Sequence, residues 1–426
     1  MLTTKLWLGT PRLFLTGSAM VTAGVLLHLP MFISARDMHY QMNGMPWDAQ
    51  MVIGMVLIAV GSILALGGLI KPSSGPRKSL ARMRISAEDD DKTARLGAAH
   101  YKLIAVMIFA IAIDTQKPFT LTFIIPSAAK EYALSTPAHL IAGAPTVAWL
   151  PFTGILGTTI GSFLWGYLGD RIGRRSSLLF AAVMFVGTSV CGAMPSYGWN
   201  VAMCLLMGIG AGGMLPAAYT LLAETTPARL RGAVLVLVGG VGTALGFLFA
   251  SWMATWLLPI LGWRVLWFAG MPTGILLLAC SRLVPESPRF LLLHDRTAEA
   301  TAVLRRFGQR LITVDDEAAA GAQDVGADDD RRAPAGSFGR LFQRPFGPVT
   351  AGLVICGLAW GMVNFGFLTW LPSTIGSIGI SATQITGLLA KAALFAVPGA
   401  LAVAWLYARW STRRTMVVSA LITGAT

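Results

Sequence analysis

The sequence predicts an all-α protein that crosses a membrane many times, and three observations carry that reading. Of 426 residues, 55% are hydrophobic and 12% charged, where an ordinary soluble domain has about 25% charged residues. Apolar runs of about 20 residues, long enough to cross a hydrocarbon core of about 30 Å, fall near 12–34, 49–70, 102–126, 142–165, 176–194, 200–222, 233–256, 264–283, 347–371 and 384–407, and another begins at 415. Basic residues gather in alternate loops: Lys71, Arg77, Lys78, Arg82 and Arg84, then Arg171, Arg174 and Arg175, then Arg229 and Arg231. The loops between carry little beyond Arg36 and Lys130. The positive-inside rule therefore puts the N-terminus and the basic loops in the cytoplasm, with the chain in the plasma (inner) membrane. Topology accounts for the net charge of +13, so the expected partner is the lipid bilayer and not a nucleic acid.

The first two runs form a helix pair over 1–70. The first is too long for a secretory leader and is followed at once by the second, so it is read as retained. Their connecting loop gathers His28, Met31, Met38, His39, Met42 and Met45, soft groups of the kind that hold copper. Methionine is common in this chain (19 residues) and no ligand spacing repeats. Packing is the expected role, and no metal or other cofactor is called for. Residues 71–100 read as a solvated cytoplasmic linker, rich in Pro, Ser, Gly and mixed charge.

Six closely spaced runs over 101–283 form a first half. A cytoplasmic loop follows over 284–345. Its opening, FLLLHDRTAEATAVLRRFGQRLI, has apolar residues at helical spacing, and its later part, DDEAAAGAQDVGADDDRRAPAG, is too poor in apolar residues to fold. Residues 346–426 start a second set, whose last run stops at Thr426 about 12 residues in, or roughly 18 Å of helix. The second half is expected to be incomplete here. Cys191, Cys204, Cys280 and Cys356 all lie in apolar runs without paired spacing, which argues against disulfides or a zinc site.

Two sets of spans joined by a long loop are how a transporter of two similar halves reads. GYLGDRIGRRSSL follows the second span of the first half, and LYARWSTRRTM stands at the corresponding place in the second. Both end in a double Arg, although Arg409 stands where the first copy has Asp170. In the first copy, Gly166, Gly169 and Gly173 surround Asp170, Arg174 and Arg175. ETTPARLR supplies Glu224 and Arg231, and PESPRFLL supplies Glu286 and Arg289.

Together these motifs resemble the major facilitator superfamily, in particular its sugar porter branch and the related metabolite:proton symporters. The resemblance covers about 100–426. It implies a fold of two six-helix halves, here with two extra transmembrane helices in front. It also implies that Gly166, Asp170, Gly173, Arg174, Arg175, Glu224, Arg231, Glu286 and Arg289 form a cytoplasmic gating network that latches the halves together when the carrier faces outward. GWRVLW, with Trp263 and Arg264, looks like the same branch. Two features depart from it. The fifth and seventh spans lack the Gln residues with which sugar porters bind hydroxyls, and Cys204 stands where proton symporters of this kind often carry Arg. The glycines of GIGAGG and GGVGTALG lie within spans and are read as close-packing residues.

The stretch AIDTQKPFTL, residues 112–121, places charge in the middle of an apolar run, where a charged side chain costs roughly 3 kcal/mol on insertion scales. Asp114 and Lys117 are three apart, so on a helix they share a face and are expected to pair. Pro118 lacks the N–H that would have bonded the carbonyl of Asp114. Such broken polar backbone is tolerated against protein or a watery cavity. Gln116 lies between the two charges. Lys391, in GLLAKAALF, is read as a second buried cation in the eighth span. By resemblance the first and eighth spans line the central cavity, to which Trp360, Asn364 and Trp370 are further candidates.

The reading is a secondary transporter, not an enzyme, working by alternating access. One buried carboxylate against two buried lysines favours a small organic anion, with a proton as the candidate coupling ion. A sugar, polyol or other neutral solute is the alternative. A non-transporting sensor or scaffold is a third reading, raised by the extra helix pair.

Overall fold

The computed structural model describes residues 10–70, 83–87, 95–136, 139–313, 338–376 and 378–425. Pro11 opens α1 (Pro11–Leu26), since a residue without an N–H costs nothing in the first turn. After a short α2 (Leu29–Ser34), α3 (Ala49–Leu69) starts where the Asp48 carboxylate accepts from Met51 N at 2.7 Å. α1 and α3 form a hairpin in backbone contact. A Cβ on Gly17 would fall 2.4 Å from Ala65 N, and one on Gly24 2.6 Å from Gly54 O. Small residues permit such approach where lipid supplies no hydrophobic drive between helices.

The first half is built from long helices. α4 (Ala98–Glu131) runs unbroken through Pro118 and Pro126. α5 (Trp149–Ile172) begins later than the apolar run suggests, because the chain before it folds back on itself: Ser135 N donates to Pro145 O and Val147 N to Ser135 O. α6 (Arg174–Gly187), α7 (Tyr197–Ala211), α8 (Met214–Thr225) and α9 (Ala228–Leu261) follow, with α10 (Val265–Phe268) and α11 (Gly270–Cys280) as the sixth span. The glycine-rich motifs sit at helix crossings, as their composition predicts. A Cβ on Gly157 of α5 would fall 2.2 Å from Leu205 O, and one on Gly208 of α7 2.1 Å from Gly154 O. The N-terminal hairpin rests on α6, where Gly187 faces Val21 and Ile58.

The helical spacing read after residue 288 corresponds to α12 (Pro288–Leu293) and α13 (Thr297–Arg306). Outside the helices, the described residues include one pair of short strands. β1 (Met83–Ala87) pairs antiparallel with β2 (Gln309–Thr313), Met83 opposite Thr313 and Ala87 opposite Gln309. The segment expected to be an open connector thus contributes a strand. Its signal is the alternation of Met83, Ile85 and Ala87 with Arg84 and Ser86, a two-residue period hidden among charged neighbours. Lys71, Arg77, Lys78, Arg82 and the acidic tract from 315 to 336 lie outside the described residues.

In the second set, α14 (Gly347–Gly361) continues through a π-helical turn (Met362–Leu368), then α15 (Leu371–Gly376), α16 (Ala382–Arg409) and α17 (Thr412–Ala425) follow. α16 packs along α9, Gly240 against Ala400. Among the described residues nine helices are long and apolar enough to cross a membrane. The run read at 142–165 corresponds to α5, which is 24 residues long but is not one of the nine, because Gly, Thr and Ser dilute its hydropathy.

Candidate functional site

Asp114 is 5% exposed, its Oδ1 has no hydrogen-bond partner, and it stands at the wall of a cavity of about 560 Å³. Thr115, Pro118 and Phe119 of α4, Thr158, Thr159 and Ser162 of α5, Thr243 of α9 and Trp360 of α14 share that wall. A second lobe of about 680 Å³ adjoins it, with Phe119, Leu215, Thr243 and Trp360 common to both, and adds Tyr219, Asn364 and Ala393. Asn364 sits in the π-helical turn and donates to Trp360 O at 2.9 Å. The proline explains the carboxylate's position. α4 lacks one rung at Asp114 O, and the cavity lies on that face.

Lys117 does not pair with Asp114. It is 1% exposed, donates to Phe185 O and, at 2.9 Å, to Thr188 Oγ1, and lies 4.1 Å from the Phe185 ring centroid. A Cβ on Gly270 would fall 2.4 Å from its Cε, so α11 leaves room for its stem. An ammonium this deep needs acceptors in hand, and α6 supplies them. Lys117 holds α4, α6 and α11 together and lines neither lobe. The expectation for Lys391 is also corrected. It is exposed, while its neighbours Ala392, Ala393 and Ala396 face the second lobe. Gln116 is fully buried with neither Oε1 nor Nε2 bonded and lies outside both linings, backed by Gly246 of α9. Trp370 packs on the core and also lines neither lobe.

The charged motifs meet on the side of the basic loops. Arg174 Nη2 donates to Asp170 Oδ1 at 2.6 Å, and the Asp170 side chain stays 72% exposed. Glu286 Oε1 accepts from Arg175 N at 3.1 Å and from Ser287 N at 3.0 Å, and Ser287 Oγ donates to Glu224. Glu224 lies in the field of Arg174 and Arg289. Gly173 is the one glycine here that the geometry demands. Its φ is +97° and a Cβ would fall 2.5 Å from Glu286 Oε2. Arg231 and Gly166 take no part in these contacts. Arg231 is exposed, and a Cβ on Gly166 would meet nothing within 4 Å. The bonded partners all come from α5 through α12, so they tie the first half to itself.

Burial pushes the Glu286 carboxyl above its ordinary 4.5, against the pull of the backbone donors and of Arg175. A folded-state value above the unfolded one gives a contribution that is full below 4.5 and is lost as pH rises through the raised value. Glu286→Gln keeps an acceptor oxygen for both N–H groups. It is expected to lose less stability than wild type as pH rises above the ordinary carboxyl range. Unfolding midpoints in detergent check this, and equal losses in both proteins contradict it.

On the opposite side the structure shows a cluster that sequence reasoning only half identified. Arg264 and Glu131 form an ion pair at 2.7 Å with side chains 0% and 3% exposed. Arg264 also donates to Gly192 O, Met194 O and the Tyr132 hydroxyl. Glu131 accepts from Trp263 Nε1 and from Met42 N and Asn43 N, which belong to the loop of the N-terminal hairpin. The motif GWRVLW points at Trp263 and Arg264. Glu131 gives no local signal, since a lone Glu at a helix end reads as solvated and its partner lies far along the chain.

Residues 103–426 match the family model described as the Major Facilitator Superfamily. The niacin transporter NiaP of Acinetobacter baylyi is 28% identical over 331 residues, 75% of this chain and 70% of its own length. The gallate transporter of Pseudomonas putida is 29% identical over 337 residues, 77% of this chain and 70% of its own. A crystal structure of a double-tryptophan XylE mutant aligns over 75% of this chain and 69% of that one, with a TM-score of 0.51 and 20% identity, a likeness of fold alone.

Proposed function

The chain belongs to the Major Facilitator Superfamily, and on that premise we propose that it carries a small aromatic carboxylate by alternating access, together with a proton exchanged at Asp114. The observation that carries this reading is the Asp114 carboxyl, buried at a cavity wall with Oδ1 unbonded. A buried carboxyl with one oxygen unbonded, on which the Lys117 ammonium acts only through space, has a charge state that responds to what the cavity contains. That is the property a coupling site needs. The substrate class is supported by relatives named for niacin and gallate, each a carboxylate on one flat ring, and by an aromatic waist of Phe119 and Trp360 between the two lobes.

With Lys117 and Lys391 turned elsewhere, no basic side chain lines either lobe among the described residues. The anion would be met by neutral donors: the Tyr219 hydroxyl, the Trp360 indole and the Asn364 amide. The same observation favours a second reading, a neutral solute. The basic loops support a cytoplasmic N-terminus, and the exposed Asp170 carboxylate, which Arg174 engages at Oδ1, is the candidate group to latch the first half to the second. Flux into proteoliposomes from a panel of aromatic carboxylates and their uncharged amides separates the two readings. Carboxylates alone should enter, and equal entry of the amides supports the neutral solute instead.

A further inference from the structure

The polar groups around the cavity are sorted by kind. In the first lobe Thr115 Oγ1 lies 2.7 Å from Ile111 O, Thr158 Oγ1 2.9 Å from Gly154 O, Thr159 Oγ1 3.0 Å from Ile155 O and Ser162 Oγ 2.8 Å from Thr158 O. A carbonyl has no hydrogen to give, so in each bond the hydroxyl donates and its single hydrogen is spent. Lone pairs are what it has left to offer. Asp114, when ionised, adds an oxygen that can only accept. This lobe is therefore rich in acceptors, and Thr158 and Ser162, four apart on α5, stand on one face one turn from each other. The second lobe alone reaches Tyr219 and Asn364, and it shares Trp360 and Thr243 with the first. Trp360 Nε1 can only donate, Tyr219 carries a hydroxyl, and Asn364 spends one amide hydrogen on Trp360 O and keeps the other.

We propose that Thr158 and Ser162 are specificity residues that accept hydrogen bonds from hydroxyl or N–H groups on the substrate's ring, and that the carboxylate lies toward Tyr219 and Asn364. The carrier then selects a hydroxylated aromatic acid over the bare one. This rests on the reading that an aromatic acid is the carried solute. The physical basis is asymmetry. A ring without donors desolvates these oxygens and returns nothing, whereas a ring hydroxyl replaces the lost water. Acceptors whose hydrogen is already spent cannot turn round and donate to a misplaced carboxylate, so the wall also fixes orientation.

The test is isothermal titration of the detergent-solubilised protein with benzoate, 4-hydroxybenzoate and 3,4-dihydroxybenzoate, in wild type, Thr158→Val and Ser162→Ala. Wild type is expected to prefer the dihydroxy acid to benzoate, and each variant to lose about tenfold of that preference, one hydrogen bond's worth. Benzoate affinity should hold or rise, because the variants have no oxygen there to desolvate, and retained benzoate binding shows that they are folded. An undiminished preference in both variants, or equal wild-type affinity for benzoate and the dihydroxy acid, overturns the assignment while leaving aromatic-acid transport standing. Failure of wild type to bind any of the three overturns the underlying reading and this assignment with it.

Discussion

Asp114→Asn is expected to abolish accumulation of substrate against its gradient while leaving binding and exchange intact. Wild type coupled to one proton gains about tenfold in accumulation, about 1.4 kcal/mol, per unit of imposed pH difference. The Asn variant should stay near equality at every difference. The substitution removes one titrating proton and almost no volume, so the cavity formed with Thr158, Thr243 and Trp360 keeps its shape. Counterflow with labelled and unlabelled solute is the control, because it needs the conformational cycle but no net proton movement. A variant that exchanges normally and does not concentrate identifies the coupling residue. Full concentration by the variant assigns the proton to another group. The revised position of Lys117 sharpens this expectation. With the ammonium hydrogen-bonded to Phe185 O and Thr188, Asp114→Asn breaks no direct bond to Lys117.

Arg264→Met is expected to have the largest effect on stability. It leaves the Glu131 carboxylate buried without its cation, a change that costs about 3–5 kcal/mol where buried pairs have been broken. It also strips donors from Gly192 O and Met194 O. Glu131→Gln should also destabilise: it keeps one acceptor oxygen for Met42 N and Asn43 N, sets its amide nitrogen against the Trp263 Nε1 donor and leaves Arg264 buried without its counter-charge. The double variant should be closer to wild type than the sum of the two, because neither charge is then stranded. Thermal unfolding of the purified proteins in detergent measures all three. Strict additivity would mean that the pair contributes nothing as a pair.

Much of the fold was legible because a membrane enforces the code. Every span needs a long apolar run, so the spans could be placed from those runs. α5 was placed least well, since the turn at Ser135–Val147 trims its start and its Gly and Thr content blurs its apolar signal. The β1–β2 pair escaped because five alternating residues outweigh nothing in a charged segment. At the site, Asp114, Trp360 and Asn364 could be picked out as polar or aromatic side chains in apolar runs, and they line the cavities. What sequence could not tell was direction. Lys117 lies only three residues from Asp114 yet reaches another helix, and Lys391 is exposed and absent from the lobe that the alanines beside it line. A helical period says which residues share a face, but the neighbour that face meets is a tertiary fact. Glu131 is the opposite case, a residue that looks solvated until Arg264 arrives from far along the chain.

The central claim is that this protein couples an organic anion to a proton across the membrane. The most direct measurement is uptake of a labelled aromatic carboxylate into proteoliposomes under an imposed pH gradient. The account predicts accumulation on the alkaline side that grows with the gradient and collapses when a protonophore is added. Accumulation indifferent to the gradient, or no carboxylate flux where an uncharged analogue passes freely, would contradict it.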